Sequence, residues 1–213
     1  MQKKTILFDL DGTLTDSGEG IINCAIPALI HYGIPVPDRK AMGVFVGPPL
    51  HDTFMKFGVP EENVDEAVAI FRKRYNTIGK FENAVYPGIR ELLATLKAHG
   101  HKLLIATSKP QHLADEVTAH FGIDVYFEKI CGASLDRSRV NKEAVIAYLL
   151  EENGTADNMV MVGDTFYDVL GAKAFGIPTI GVSWGYGKRD EILDAGAVAI
   201  ADSAEELLTL LEK

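Results

Sequence analysis

From about residue 83 onward, short apolar runs alternate with longer stretches whose apolar positions recur at helical spacing. The runs at 102–106, 125–127, 159–162, 178–182 and 198–200 predict strands, and 5–8 predicts the first of the series. Stretches at 88–99, 110–121, 139–152, 165–175, 188–195 and 203–212 predict helices between them. Gly100, Gly122, Gly154, Gly176 and Gly196 stand where a left-handed helix cap favours glycine. Strands alternating with helices imply right-handed crossovers, and therefore an α/β fold with a mostly parallel sheet between two helical layers.

One connection breaks this rhythm. Between Gly12 and Phe81 lie about 70 residues, where such connections usually take ~2–6. That stretch carries its own helical signals at 17–32, 48–57 and 60–78. In the last, Val64, Val68, Phe71 and Tyr75 form one apolar face that must pack on something. The pattern predicts a helical module at 16–80 inserted after the first strand, with hinges near 16–18 and 80–84. Residues 1–15 and 81–213 make the core.

Composition narrows the class. The 213 residues are 47% hydrophobic and 24% charged, as in soluble globular proteins. The net charge of −9 leaves only the local clusters 72–74 and 137–139 positive, a poor footing for nucleic-acid binding. Two distant cysteines, Cys24 and Cys131, predict reduced, buried thiols rather than a disulfide. No apolar run approaches the ~20 residues of a membrane span. The N-terminus turns acidic at Asp9, too soon for a signal peptide, so the expectation is a cytoplasmic protein without membrane partners, a monomer or weak homodimer.

In open parallel sheets, ligands bind beyond the carboxyl ends of the strands. There the first strand is followed by Asp9-Leu10-Asp11-Gly12-Thr13, the second by Thr107-Ser108-Lys109-Pro110, and the fourth by Gly163-Asp164, with Asp168 one helical turn on. Singly, each is an ordinary turn or helix cap. Lys142 is odder, because a cation in the first turn of a helix opposes the helix dipole. All fall at one end of the sheet, so acidic and hydroxyl groups converge there with a lysine.

In order and separation, these four segments resemble the motifs of the haloacid dehalogenase superfamily, in its phosphoglycolate-phosphatase-like branch with a Rossmann-like core and a helical cap. The resemblance implies a phosphatase acting on a small phosphorylated metabolite. Asp9 would attack phosphorus and become an aspartyl phosphate, and Asp11 would serve as general acid and base. Thr107, Ser108, Lys142 and the backbone N–H at Gly12 would hold the phosphoryl oxygens. Asp9, the backbone carbonyl of Asp11 and Asp164 would bind Mg²⁺, with Asp168 in support. Charge arithmetic agrees. Four carboxylates and one lysine around a phosphate dianion are strongly repulsive, which calls for a divalent cation and a proton held on Asp11.

The inserted module would lie over the site as a lid. Gly47 and Pro48 in the rigid turn at 47–49, and Arg72, are its candidates for selecting the leaving group, and Trp184 either flanks the entrance or packs. Many phosphoglycolate phosphatases carry proline directly after the third-motif lysine, whereas Lys142 is followed by Glu143. That departure leaves nucleoside monophosphates and sugar phosphates open beside phosphoglycolate. The same core residues would serve a phosphomutase similar to β-phosphoglucomutase. A phospho-receiver switch domain also shares the acidic pocket, but lacks such an insertion.

Overall fold

Along the first strand, β1 (Thr5–Phe8), Ile6 and Phe8 face one apolar layer and Leu7 the other, the two-residue period of a strand buried on both sides. The computed structural model describes residues 3–134, 136, 138–153 and 157–213. Next in the chain come β2 (Thr15–Asp16), α1 (Gly18–His31), α2 (Leu50–Lys56), α3 (Val64–Tyr75), β3 (Ala84–Val85), α4 (Ile89–Ala98), β4 (Lys102–Pro110) and α5 (Gln111–His120). They are followed by β5 (Lys129–Ala133), α6 (Lys142–Asn153), β6 (Met159–Gly163), α7 (Phe166–Lys173), β7 (Thr179–Val182), α8 (Arg189–Ala195), β8 (Ala199–Ala201) and α9 (Ala204–Leu211).

Six strands form a parallel sheet in the order β5-β4-β1-β6-β7-β8. On one face, Ile6, Phe8, Leu103, Ile105, Val160 and Val162 pack with α4, α5 and α9. On the other, Leu7, Leu104, Met159 and Met161 pack with α6 and α7. The expected three-layer α/β/α architecture is therefore present.

One expected strand is misplaced. Residues 125–127 do not join the sheet; Asp124–Tyr126 is a 3-10 turn, and the edge strand is β5. Tyr126 and Phe127 instead fold onto the sheet-face core, Phe127 edge-on to Phe8 at 6.1 Å. The apolar trio supplies packing, while β5, with Lys129 and Gly132, is too weakly apolar to stand out. The 60–78 stretch also divides, into a 3-10 turn at Glu61–Asn63 and then α3. Gly100, Gly122, Gly176 and Gly196 adopt the left-handed conformation expected of them; Gly154 lies outside the described residues. Cys24 and Cys131 are free and buried.

Between β2 and β3, which pair as a two-stranded antiparallel ribbon, α1, α2 and α3 gather around a separate apolar cluster. It contains Ile21, Leu29, Phe45, Phe54, Val68, Phe71 and Tyr75. Leu113 of α5 belongs to that cluster too, so the helical module is seated on the core. Arg74 grips Glu82 through two bonds of 2.6 and 2.7 Å, and Lys80 pairs with Glu116 of α5, which ties down the second connecting segment.

Candidate active site

Strand register sets the site. Phe8 pairs with Ile105 of β4 and Val162 of β6, so Asp9 and Asp164 leave the sheet at nearly the level of Thr107, which lies within β4, a strand that runs on to Pro110. The Asp9 N–H donates to the Val162 carbonyl at 2.9 Å, which holds the start of the loop on β6. The loop turns sharply, with the Gly12 N–H donating to Thr15 O at 2.8 Å. Gly12 has φ +87°, and a side chain there would meet Asp164 Oδ2 at 2.3 Å.

Lys142, at the start of α6, reaches back under the sheet edge. Its ammonium lies 2.7 Å from Asp9 Oδ1 and 2.8 Å from Asp168 Oδ1, and donates to the Ala106 carbonyl at 2.7 Å. The two carboxylate contacts are ion pairs whose angles fall short of hydrogen-bond geometry. Asp168 Oδ2 accepts from the Thr165 N–H (3.0 Å) and hydroxyl (2.8 Å), closing a capping box on α7. Both oxygens of Asp168 thus have protein partners.

Asp164 Oδ1 accepts from the Thr13 hydroxyl at 3.2 Å, and Oδ2 accepts from the Tyr186 N–H at 2.8 Å. The Tyr186 contact depends on Gly185, where a Cβ would come within 2.3 Å of Asp164. Two glycines flanking Tyr186 after a strand were the available sequence signal for this partner. Trp184, beside them, packs against the core and donates to the Thr13 carbonyl at 3.1 Å, a packing role that braces the loop after β1.

Asp11 brings in a group that sequence reasoning did not assign. Lys109, at the end of β4, places its ammonium 2.9 Å from both oxygens of Asp11 and donates to the Tyr75 hydroxyl of α3 at 2.5 Å. Burial works against the charge on Lys109, but Asp11 and Tyr75 together hold it above the usual lysine range. The cluster therefore contains two lysines, not one, against four carboxylates, all buried. Burial pushes Asp9 up to about 6, with Lys142 opposing, and pushes Asp164 up to about 8, with Asp168 and Asp9 adding to it.

A cavity of about 540 Å³ opens above these groups. Asp9, Asp11, Thr107, Ser108 and Lys109 form its floor; Gly47, Pro48, Phe45, Phe71, Arg72 and Tyr75 reach it from the helical module. Thr107 is buried, and its hydroxyl accepts from the Lys109 N–H at 3.2 Å. Gly47, Pro48 and Arg72 are thus brought to the same cavity as the carboxylates. Arg74 is not, being committed to Glu82.

Carboxylate oxygens of Asp9, Asp164 and Asp168 lie within 4.8 Å of one another, all buried. Burying several acids together costs several kcal/mol per ion unless cations compensate, and Lys142 faces only two of the three. The raised Asp164 and Asp9 are the mark of that shortfall. An all-oxygen donor set with excess negative charge fits a hard divalent cation such as Mg²⁺.

With this geometry in place, its relatives can be named. The haloacid dehalogenase-like hydrolase family model matches residues 6–182, and the chain belongs to that family. Within it, the chain is an enzyme of the phosphatase kind. It is 45% identical over 88% of its length to a 5'-nucleotidase of Pseudomonas aeruginosa, covering 86% of that protein. A predicted phosphatase from Clostridium acetobutylicum superposes with a TM-score of 0.94 at 42% identity, covering 100% of both chains. A protein named tyrosine-protein kinase PtkA in Mycobacterium tuberculosis is 42% identical over 93% of this chain and 68% of its own length. Among the described residues, no helix is long and apolar enough to cross a membrane.

Proposed function

We propose that the protein is a Mg²⁺-dependent phosphomonoesterase working through an aspartyl phosphate, with the buried cluster of Asp9, Asp11, Asp164, Asp168, Lys109 and Lys142 as the supporting observation. An Asp9 oxygen attacks phosphorus as the bond to the leaving oxygen breaks, and Asp11 delivers a proton to that oxygen. Water then attacks the aspartyl phosphate, with Asp11 taking its proton, and inorganic phosphate leaves with Asp9 restored. Thr107, Ser108 and Lys142 hold the phosphoryl oxygens; the Gly12 N–H, expected from the sequence to join them, is instead taken up by the Thr15 carbonyl in the tight turn of the loop. Asp9, Asp164 and the Asp11 carbonyl would hold Mg²⁺, which neutralises phosphoryl charge; Asp168 supports them by fixing Lys142 and Thr165. The module at 16–80 acts as the lid over the core of 1–15 and 81–213. The setting is cytoplasmic, the partner a small metabolite, and the chain a monomer or weak homodimer that binds neither nucleic acid nor membrane.

Among phosphoglycolate-like, nucleotide and sugar substrates, a nucleoside monophosphate is favoured. The cavity wall of Ile21, Phe45, Val68 and Phe71 suits a flat, partly apolar leaving group better than a two-carbon acid. The similarity to a 5'-nucleotidase points the same way. The similarity to a protein named a tyrosine kinase favours a second reading, in which the phosphoryl group passes to an acceptor other than water, as it would in a phosphomutase.

The test is phosphate release from nucleotides, sugar phosphates, phosphoglycolate and pyrophosphate, with Mg²⁺ and with chelator. Mg²⁺-dependent release favouring a nucleoside monophosphate is expected. Transfer to an added alcohol or tyrosine without phosphate release would establish the second reading instead.

A further inference from the structure

Lys109 has three ammonium hydrogens and three acceptors: the two Asp11 oxygens at 2.9 Å each and the Tyr75 hydroxyl at 2.5 Å. None is left over for a phosphoryl oxygen in this arrangement, although the ammonium lies at the cavity floor. The group is built to hold Asp11. A carboxylate turns easily about its terminal torsion, and contact with both oxygens removes that freedom.

Both ends of the arrangement are anchored. The Lys109 N–H donates to Thr107 Oγ at 3.2 Å, and its carbonyl lies where any Cβ on Gly132 would approach to 2.5 Å. Tyr75 stacks on Phe71 at 5.1 Å, and its ring also lies under the ammonium, 5.0 Å from centroid to Nζ. The three residues come from the nucleophile loop, the end of β4 and the inserted module.

We propose that Lys109 is a positioning residue for Asp11, and that Tyr75 completes it from the inserted module, so that leaving-group protonation is fully effective only while the module is seated. This rests on the reading of Asp11 as the acid. A misplacement of about 1 Å at a reacting group can cost on the order of 100-fold, which sets the scale of the effect.

The experiment is first-turnover kinetics by rapid mixing, in which Asp11 acts only as acid. Two probes are compared: adenosine 5'-monophosphate, whose alkoxide needs a proton to leave, and p-nitrophenyl phosphate, whose phenolate does not. Lys109→Met is expected to slow the nucleotide by about 100-fold and Tyr75→Phe by about 10-fold, with KM changed less than about twofold. Both losses should be about tenfold smaller on the nitrophenyl ester, as should that of Asp11→Asn. The double variant should be no slower than Lys109→Met alone, because the two act in series. Equal losses on both probes, or multiplied losses in the double variant, would overturn the relay even if Lys109→Met folds poorly, since Tyr75→Phe removes a single hydroxyl. Absence of any probe dependence in Asp11→Asn would instead remove the acid assignment, and the relay with it.

Discussion

At and beneath the floor of the cavity, four carboxylates and two lysines are buried together, and hydroxyls, backbone N–H groups or ammonium ions meet them. On the roof, Ile21, Phe45, Val68 and Phe71 offer apolar surface, and Tyr75 is the roof side chain that bonds to the floor. The two regions differ in what a small change costs. A buried ion stripped of its partner is destabilising by several kcal/mol, so the floor holds one geometry. An apolar wall of about the right volume tolerates substitution within roughly 1–2 kcal/mol. On the proposed function, the reaction is then a property of the floor and the choice of leaving group a property of the roof.

The sharpest break is Asp9→Asn. Losing the proposed nucleophile should drop turnover to background while leaving the melting temperature at or above that of the parent, because a buried charge is removed. Residual phosphate release with normal kinetics would take the nucleophile away from Asp9.

Lys142→Met should be nearly as damaging, but to the fold as well. It leaves Asp9 and Asp168 buried without their shared cation, a loss of about 3–5 kcal/mol on the scale of broken buried pairs. Urea denaturation measures this, and a loss below about 1 kcal/mol would place Lys142 among ordinary surface lysines.

A smaller effect is expected from pH. Burial raises Asp9 to about 6 and Asp164 to about 8 from the ordinary 3.8. An acid that binds its proton more tightly folded than unfolded stabilises the fold at low pH, and that contribution is lost as pH climbs to the folded value. Without divalent cation, the site's share of stability should therefore fall between about pH 4 and pH 8, and Mg²⁺ should flatten the fall. Melts of the parent and of Asp164→Asn across this range, with chelator and with Mg²⁺, isolate the effect. A difference between the two that ignores pH would contradict it.

The mildest change is on the roof. Phe71→Leu should raise KM for a nucleotide by several-fold, about 1 kcal/mol, and leave kcat within about twofold. A large fall in kcat with KM unchanged would mean that the roof takes part in the reaction itself and would erase the contrast with the floor.

Much of the floor is legible in the sequence alone, because parallel strands deliver whatever follows them to one edge. Asp9, Thr107, Lys142 and Asp164 follow from strand ends and one helix start. Lys109 sits in the same segment as Thr107, yet its role was hidden, since a side chain's partner is decided by which loop faces it across the sheet. Tyr75 read as the last residue of an apolar helical face, which it is; that its hydroxyl also crosses to Lys109 depends on how the module is seated. The strand at 129–133 was obscured by a stronger apolar signal at 125–127, where Tyr126 and Phe127 pack as side chains rather than pair as backbone.

The order of strands and helices, the length of the insertion and the four motif segments determined the α/β fold and the family, because periodicity and chain order are local properties of the chain. The pairing of Lys109 with Asp11, the capture of Asp164 by the Tyr186 N–H and the contact between Tyr75 and the floor were decided only by tertiary structure. Each joins segments far apart in sequence. Each also depends on distances of about 3 Å between buried polar groups, which the packing of whole elements sets and no local pattern encodes.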